Sequence, residues 1–228
     1  MPLIPFMPNK KLVIFDFCGT LISFQTADRY VKFCVERLQD NKTVQCRHRL
    51  VQLMDKLRVF KIYNHIRPEN NWRKRMILRQ LKGVSYETCD QLAKKYFDEE
   101  LLPNVVQPLV EKLKEHLANG DRVCILSGGY DVYIKYFAQY FGIKETISSK
   151  IAFRDGRCLG RMDGKDCMRE NKLEYIRPYF NGASTICYTD SKSDMPLLEL
   201  VEKPIVVSKD KAQLWATQLN YKQIVWNC

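Results

Sequence analysis

Residues 12–21 read Leu-Val-Ile-Phe-Asp-Phe-Cys-Gly-Thr-Leu, a short apolar run that ends in polar residues and a glycine. Continuous runs of β-branched and aromatic residues are typical of a strand buried on both faces of a parallel sheet. The run predicts such a strand, with Asp16 at its carboxyl end. Ligands of open parallel sheets bind beyond the carboxyl ends of the strands, so Asp16 is the first candidate site residue.

Three further runs of this kind follow along the chain: residues 122–126 before Ser127, Gly128 and Gly129; residues 185–189 before Asp190 and Asp194; and residues 204–207. Helix-like segments at 108–118 and 196–201 separate them. Strands that alternate with helices predict parallel βαβ units, and hence an α/β fold with a Rossmann-like parallel sheet as its core. Asp155 and Gly156 predict a tight hairpin turn.

Residues 22–102 show helical periodicity with hardly a strand signal. Apolar residues repeat at helical spacing in three places: Val31, Cys34, Val35 and Leu38; Leu50, Leu53, Met54 and Leu57; Cys89, Leu92, Ala93 and Tyr96. Ser85 is placed to cap the last of these helices. We expect an all-helical cap domain at 22–102, packed as a bundle and inserted into a core formed by residues 1–21 and 103–228.

The composition is that of an ordinary globular chain of 228 residues, 46% hydrophobic and 28% charged. Its uncharged apolar runs are far too short to span a bilayer, so we expect no membrane insertion. Three prolines among the first eight residues, ahead of Lys10 and Lys11, predict a short extended lead-in and not a signal peptide.

Nine cysteines are scattered along the chain. No two of them have the two-residue gap of a zinc knuckle, and none is followed six positions later by the arginine of cysteine-based phosphatases. Buried thiols in a reducing compartment are the preferred interpretation, which makes a cytoplasmic protein the expectation.

The net charge of +11 is concentrated in residues 41–82, which have an excess of ten positive charges. Such a field attracts a phosphorylated substrate, a nucleic acid or an anionic lipid surface. A solvated helical face explains the run equally well. Phe60, Tyr63 and Trp72 could stack on bases, but aromatic residues at helical spacing are more often part of a core. We therefore do not expect a nucleic-acid partner.

The first run closes as Asp16-Phe-Cys-Gly-Thr-Leu21, and here the chain resembles the haloacid dehalogenase superfamily, whose phosphatases carry Asp-x-Asp-Gly-Thr at this point. It is similar in particular to the phosphoserine-phosphatase-like branch, which has a helical cap in this first insertion position. Four separated motifs in the right order carry the resemblance, which covers essentially the whole chain. The resemblance implies a Mg²⁺-dependent phosphohydrolase.

The resemblance also implies how the metal and the nucleophile are arranged. Asp16 would attack the phosphoryl group to give an aspartyl phosphate, which water then cleaves. Asp16, Asp190 and Asp194, with the backbone carbonyl of Cys18, would hold the Mg²⁺, which prefers hard oxygen ligands.

The remaining motif residues would bind the phosphoryl group. Ser127 and the N–H groups near Gly128 and Gly129 would hold its oxygens, and Lys172, at the start of a helix, would be the phosphate-binding lysine. Lys165 is expected to be solvated. Thr20 and Gly19 would shape the first loop around the substrate.

Cys18 departs from the family pattern, because it replaces the acid that protonates the leaving oxygen. A free thiol has a pKa of about 8.5 against about 3.9 for Asp, so it would be mostly a weak protonated donor. Loss of acid–base catalysis costs about 10² to 10⁴ in rate, while metal and nucleophile remain. We expect reduced turnover, or a leaving group that needs little protonation.

The expected substrate is a small phosphomonoester, such as a phosphorylated sugar, amino alcohol or similar metabolite. Two alternatives stay open at this point. One is phosphoryl transfer to an acceptor other than water, and the other is a catalytically weak protein that binds anions or nucleic acid through residues 41–82. The sequence leaves the natural substrate and the oligomeric state undetermined.

Overall fold

The computed structural model describes residues 10–60, 63, 72–180 and 182–227. Its centre is a seven-stranded sheet in the order β4-β3-β2-β1-β5-β6-β7. Neighbouring strands are parallel except β3 and β4, which form an antiparallel hairpin. The strands are β1 Leu12–Phe15, β2 Arg122–Tyr130, β3 Glu145–Arg154, β4 Arg157–Asp163, β5 Thr185–Thr189, β6 Lys203–Lys209 and β7 Lys222–Trp226. The α/β prediction is therefore confirmed.

Helices connect the parallel strands and also fill the long insertion after β1. The described α-helices are α1 Thr26–Arg37, α2 Lys42–Lys56, α3 Trp72–Leu78, α4 Tyr86–Tyr96, α5 Gln107–Ala118, α6 Asp131–Phe141, α7 Glu170–Ile176, α8 Met195–Leu198 and α9 Leu214–Gln218. Between β1 and α5 the described elements are all helical. The division into a cap at 22–102 and a core stays a prediction.

The central strand β1 is buried on both faces, as its continuous apolar run predicts. Val13 and Phe15 belong to one apolar cluster, and Leu12 and Ile14 belong to a second one. Side chains alternate between the two faces of a strand, so β1 contributes to both cores. Phe15 also stacks on Tyr188 of the neighbouring strand β5, with ring centroids 4.5 Å apart.

Aromatic residues join the inserted helices to the sheet layer. Tyr30 of α1, Tyr96 of α4 and Tyr133 of α6 are buried and pack with ring centroids 5.2 to 5.5 Å apart. Edge-to-face and tilted arrangements at such distances add to the energy of apolar burial. Ser85 caps α4 as predicted, since its side-chain oxygen accepts a hydrogen bond from Thr88 N at 3.1 Å.

The β3–β4 hairpin holds the segment that leads into α4. Gly83 N donates to Cys158 O at 2.7 Å, Cys158 N donates to Val84 O at 2.8 Å, and Tyr86 N donates to Gly156 O at 2.7 Å. The turn at Asp155 and Gly156 lies where the sequence predicts it. These backbone hydrogen bonds attach the inserted helices to the core at a place other than the two points where the chain enters and leaves the insertion.

Two strand predictions need correction. The second strand does not end at Leu126 but continues through Ser127 and both glycines to Tyr130, with a register shift against β3. Glycines tolerate such irregular pairing because they have no side chain to place. The edge strand β7 was not predicted, because its apolar signal is weak; of its five residues two are exposed, two are half-buried and one is buried.

The stripe of Leu50, Leu53 and Leu57 does not pack into a bundle. These side chains are 52%, 52% and 61% exposed, and Val44 is the buried residue of α2. The spacing correctly predicts a helix with an apolar face, but the expectation that this face packs into a bundle is wrong for the three leucines, whereas Met54 of the same stripe is half-buried. The inner side of α2 is occupied by other residues.

The basic run at 41–82 is only partly covered by the structure, since Lys61, Arg67 and Glu69 lie outside the described residues, as does the lead-in at 1–9. The rings of Phe60 and Tyr63 pack on Trp72 at 5.4 and 4.5 Å. This agrees with their interpretation as packing residues. No helix in the described part of the chain is long and apolar enough to cross a membrane.

The eight cysteines within the described ranges are all free thiols, and seven of them are buried. Cys46 on α2 is exposed. Burial accounts for most of the cysteine content without disulfides, as the spacing predicts.

Two glycines of the hairpin allow a matched test of its contact with residues 79–86. Gly156 and Gly160 have φ values of 68° and 67°, so alanine at either one costs about 1 to 2 kcal/mol of backbone strain. At Gly160 a Cβ atom would also lie 2.8 Å from Lys82 Cβ and 3.1 Å from Arg79 Cα. Urea unfolding should show that Gly160→Ala loses about 1 to 3 kcal/mol more than Gly156→Ala. Equal losses of unfolding free energy for the two variants would mean that residues 79–86 move away from the added methyl group without cost.

Candidate active site

The predicted motif residues meet at one cavity of about 360 Å³ beyond the carboxyl ends of β1, β2 and β5. Parallel strands place their carboxyl ends at one edge of a sheet, which is why motifs far apart in sequence converge. The motif residues that line the cavity are Asp16, Cys18, Ser127, Gly128, Lys172, Asp190 and Asp194. Gly19, Thr20 and Gly129 are not among its lining residues in the described part of the chain.

Asp16 is held at the end of β1 and is nearly buried. Its N–H donates to Tyr188 O at 2.8 Å, which continues the pairing of β1 with β5. Burial raises the pKa of the Asp16 carboxyl above its ordinary value, and the charge of Lys172 opposes the rise. The carboxylate therefore depends on a cation beside it.

Lys172 supplies that cation from the first turns of α7. Its Nζ donates to Asp16 Oδ1 at 2.8 Å and to Asp194 Oδ2 at 2.7 Å. Burial lowers the pKa of Lys172, but the charges of Asp16 and Asp194 outweigh it and hold the pKa above its ordinary value. The ammonium thus stays charged at neutral pH. Lys165, by contrast, pairs with Glu174 on the surface.

Asp194 is fixed by a residue that the sequence interpretation missed. Thr189, the last residue of β5, donates its hydroxyl to Asp194 Oδ2 at 2.7 Å and accepts from Ser191 N at 3.1 Å. The sequence did offer a signal for Thr189, because it is a hydroxyl residue at a strand end close to two acids. Thr189 orients Asp194 and the loop that carries Asp190.

Thr20 and Gly19 join the first loop to the last one. Asp190 N donates to Thr20 Oγ1 at 3.0 Å, and the Thr20 hydroxyl lies 3.5 Å from Asp190 Oδ1. Gly19 has φ +77°, and a Cβ atom there would overlap the Asp190 carboxyl. Burial, followed by the charge of Asp16, raises the pKa of Asp190 to about 7.

Three carboxylates of the cavity could hold a divalent cation. Asp16, Asp190 and Asp194 line the cavity together with Lys172, and burial, followed by the charge of Asp16, raises the pKa of Asp190. In the described ranges no three His, Cys, Asp or Glu side chains converge at ligand distances, because Lys172 contacts two of the acids. The hard oxygens of the three carboxylates and of the Cys18 carbonyl are of the type that Mg²⁺ prefers.

Ser127 and the glycines after it have different positions. Ser127 is buried at the cavity wall, where its Oγ accepts a hydrogen bond from Gly129 N at 2.9 Å. Gly129 itself faces Tyr133 and Thr26, and a Cβ atom there would come within 2.7 Å of the Tyr133 hydroxyl. Gly129 therefore allows close packing behind the cavity, and Gly128 is the glycine at the cavity.

Cys18 is connected to a buried chain of hydroxyl groups. Its Sγ lies 3.0 Å from Thr26 Oγ1 and 4.0 Å from Ser127 Oγ, and Thr26 Oγ1 lies 2.7 Å from the Tyr133 hydroxyl. Burial and then the charge of Asp16 raise the pKa of the Cys18 thiol. Cys18 is therefore a neutral thiol at neutral pH and not a base. The sequence interpretation missed Thr26 and Tyr133.

Lys74 of α3 was counted in the basic run as part of a surface field, but it is buried at the cavity. Its Nζ donates to Gly128 O at 2.5 Å and to Asp166 Oδ1 at 2.6 Å. The Ser149 hydroxyl also donates to Asp166 Oδ1, at 2.7 Å. Lys74 thus joins an inserted helix to the loop of Ser127 and to the loop before α7.

The cavity is also lined by polar residues outside the motifs. Arg73 and Asp28 form an ion pair, and Gln25 and Ser193 line the cavity as well. Met168 and Arg169, just before α7, are further lining residues. A ligand with several polar groups matches this lining better than an apolar one.

The sequence model of the haloacid dehalogenase-like hydrolase family matches residues 13–199 of the chain. A histidinol-phosphatase from Neisseria meningitidis is 22% identical over 211 residues, which cover 88% of this chain and 91% of that protein. A phosphoserine phosphatase from Methanocaldococcus jannaschii is 23% identical over 230 residues, covering 95% of this chain and 97% of that one.

Solved structures share the fold. A protein of unknown function from Bordetella pertussis Tohama I superposes with a TM-score of 0.78 at 23% identity, covering 95% of this chain and 98% of that one. A substrate-bound phosphoserine phosphatase complex gives a TM-score of 0.63 at 17% identity, covering 96% and 94%.

The buried pair of Lys74 and Asp166 can be compared with the surface pair of Lys165 and Glu174. The side chains of the first pair are 10% and 11% exposed, and those of the second are 61% and 58% exposed. Removing one partner of a buried pair costs about 3 to 5 kcal/mol, whereas an exposed pair contributes at most about 1 kcal/mol. Urea unfolding should therefore show a large loss for Lys74→Met and a small one for Lys165→Met. Similar losses would contradict a structural role of Lys74.

Proposed function

Because the chain belongs to the haloacid dehalogenase-like hydrolases, in their phosphoserine-phosphatase-like branch, we propose that it is a phosphatase that hydrolyses a small phosphomonoester. One observation carries the proposal. Asp16, at the end of the central strand, shares a buried cavity with Lys172, Asp194 and Ser127. A nucleophile, a cation and a hydroxyl for the phosphoryl oxygens thus lie together.

Asp16 attacks the phosphorus atom, and the bond from phosphorus to the leaving oxygen breaks. The phosphoryl group is then bonded to Asp16 as an aspartyl phosphate, and the alcohol departs with the electron pair and takes up a proton. Water cleaves the aspartyl phosphate and releases inorganic phosphate. Lys172 and the Ser127 hydroxyl bind the phosphoryl oxygens during both steps, since they line the cavity beside Asp16.

Mg²⁺ is the proposed cofactor, with Asp16, Asp190, Asp194 and the Cys18 carbonyl as its ligands. When bound, it neutralises charge on the phosphoryl group and lets two anions approach each other. Thr20 and Thr189 hold Asp190 and Asp194 in the cavity through the hydrogen bonds described above. Lys172 is the cation that contacts Asp16 and Asp194 in the described site.

In the proposed reaction, the poor proton transfer by Cys18 limits the rate. Its raised pKa leaves a neutral thiol that hydrogen-bonds with Thr26, so it neither donates a proton readily nor activates water. A substrate whose leaving group needs little protonation, or supplies its own acid, suits this site. The same thiol favours a second candidate, transfer of the phosphoryl group to an acceptor more nucleophilic than water. Alkyl phosphates formed in the presence of added alcohols would identify transfer.

The size and lining of the cavity support a polar metabolite as substrate. The volume of about 360 Å³ suits a small molecule, and Asp28, Arg73 and Gln25 offer charges and hydrogen bonds to its hydroxyl or amino groups. The relatives that act on histidinol phosphate and phosphoserine, as their names state, have leaving groups of this kind. A phosphorylated amino alcohol or sugar fits best. The eight cysteines in the described ranges are free thiols, which supports a reducing compartment such as the cytoplasm.

Asp16→Asn should abolish phosphatase activity, because the amide keeps the shape of the side chain but is not a nucleophile. Phosphate release is measured on a panel of phosphomonoesters with Mg²⁺ and with a chelator, and the wild type should be active only with the metal. Asp163→Asn, at an exposed acid of β4, is the matched control and should keep full activity. Full activity of a folded Asp16→Asn variant would refute the proposed nucleophile.

Cys18→Asp should raise kcat for alkyl phosphomonoesters about 10²-fold, because a carboxylic acid can protonate the leaving alkoxide. The gain should be much smaller with p-nitrophenyl phosphate, whose leaving group needs little protonation. Cys46→Asp, at the exposed thiol of α2, controls for the added charge. The same gain on both substrates would show that Cys18 does not limit proton transfer.

A further inference from the structure

The outward face of α2 carries an apolar row that nothing in the described structure covers. Cys46, Leu50, Leu53 and Leu57 follow one another at steps of four, three and four residues. This is the spacing of the a and d positions of a heptad repeat, so the four side chains form one narrow seam. The leucines are 52%, 52% and 61% exposed, and Cys46 is exposed as well.

A row of basic residues runs beside this seam. Lys42, Arg49 and Lys56 are spaced seven residues apart, which places them at the g positions of the same heptads. All three are exposed, and no ion pair of theirs is found among the described residues. Asp55, the acid within α2, falls on another side of the helix and lies 3.9 Å from Arg73.

The opposite side of α2 is fixed to the protein, so the outward face is presented rigidly. Val44 is buried, Gln45 donates its side-chain amide to Val35 O at 2.9 Å, and His48 Nδ1 lies 2.8 Å from Gln80 Oε1. Asn41 caps the helix by accepting from Val44 N at 3.2 Å. Val51 also packs partly buried against the core, so the side of α2 opposite the leucines is the anchored one and the leucines stay exposed.

The shape and charge of the face select among partners. The exposed apolar residues of the seam lie at a and d positions, while Met54 at the e position is half-buried. This face is narrower than the broad apolar face with which helices bind to membranes, and it matches a partner helix. In a pairing with a second copy of this chain, the basic row would face either the same row or Arg47, which lies at an e position of the heptads. Like charges oppose both pairings. Acidic residues beside an apolar seam would complement it.

We propose that the outward face of α2 is a docking site for an amphipathic helix of another protein, with apolar a and d positions and acidic e and g positions. The leucine seam supplies the buried contact, and the basic row sets the preference for acidic partners. None of these residues lines the cavity, so the site is separate from the proposed phosphatase chemistry. A proposed partner of this kind could bring the enzyme to its substrate.

The test uses the full chain and two labelled synthetic helices of about three heptads. Both carry leucine at a and d; one has glutamate at e and g, and the other has lysine there. The like charges at the e and g positions repel between two copies of the same probe at neutral pH, and this opposes its self-association. Fluorescence anisotropy should show at least tenfold tighter binding of the acidic probe, weakened by raising NaCl from 50 to 500 mM, since salt screens exposed charges.

Three variants define the site. Leu50→Gln with Leu53→Gln should weaken binding of the acidic probe at least tenfold. Arg49→Glu with Lys56→Glu should reverse the preference in favour of the lysine probe, which a general loss of folding would not do. Leu214→Gln, at a leucine 81% exposed on α9, is the matched control and should bind like the wild type. All variants should keep wild-type phosphatase activity.

Several results would overturn the proposal. These are absence of saturable binding of the acidic probe, equal binding of both probes, and binding unaffected by the Leu50 and Leu53 substitutions. Leucine-dependent binding to phosphatidylserine vesicles in place of the acidic probe would assign the face to a lipid surface instead. Concentration-dependent self-association that Leu53→Gln abolishes would assign it to a second copy of the chain.

Discussion

The buried contact of the Lys172 ammonium with the carboxylates of Asp16 and Asp194 is the interaction on which the site depends. Isolated charges are costly to bury, and here each one is stabilised by an opposite charge within hydrogen-bond distance. The contact requires that β1, α7 and the loop after β5 keep fixed relative positions. The parallel sheet provides them, because its central strands end at the same edge.

Two further sets of residues hold the groups around this contact in place. Thr189 and Thr20 hold the two acids of the last loop, and they act from strand ends that the sheet already fixes. Lys74 reaches the site from an inserted helix and binds both the Gly128 carbonyl and Asp166. The inserted helices therefore contribute to the arrangement of the site and do not merely cover it.

Cys18 shows how one substitution changes the chemistry without disturbing this framework. The thiol is accommodated by hydrogen bonding with Thr26, which in turn lies beside the Tyr133 hydroxyl. The charges around Asp16 and Lys172 do not depend on residue 18 being an acid. In the proposed reaction the protein thus keeps Asp16 as nucleophile and its proposed metal ligands, while proton transfer becomes the slow step.

The sequence by itself determined the α/β fold and the family. It predicted Asp16, Ser127, Asp190 and Asp194 as site residues because they follow apolar strand runs, and it predicted Lys172 from the family resemblance and its place at the start of a helix. The structure brings these five residues to one cavity. It did not reveal Lys74, Thr26 or Tyr133, whose partners lie on other elements and leave no local pattern. Thr189 was missed although its partners lie in the loop that follows it. Helical spacing also predicted an apolar face at Leu50, Leu53 and Leu57 without its direction. Only tertiary packing decides which side of a helix meets the core, because periodicity records that a face exists and not what lies against it.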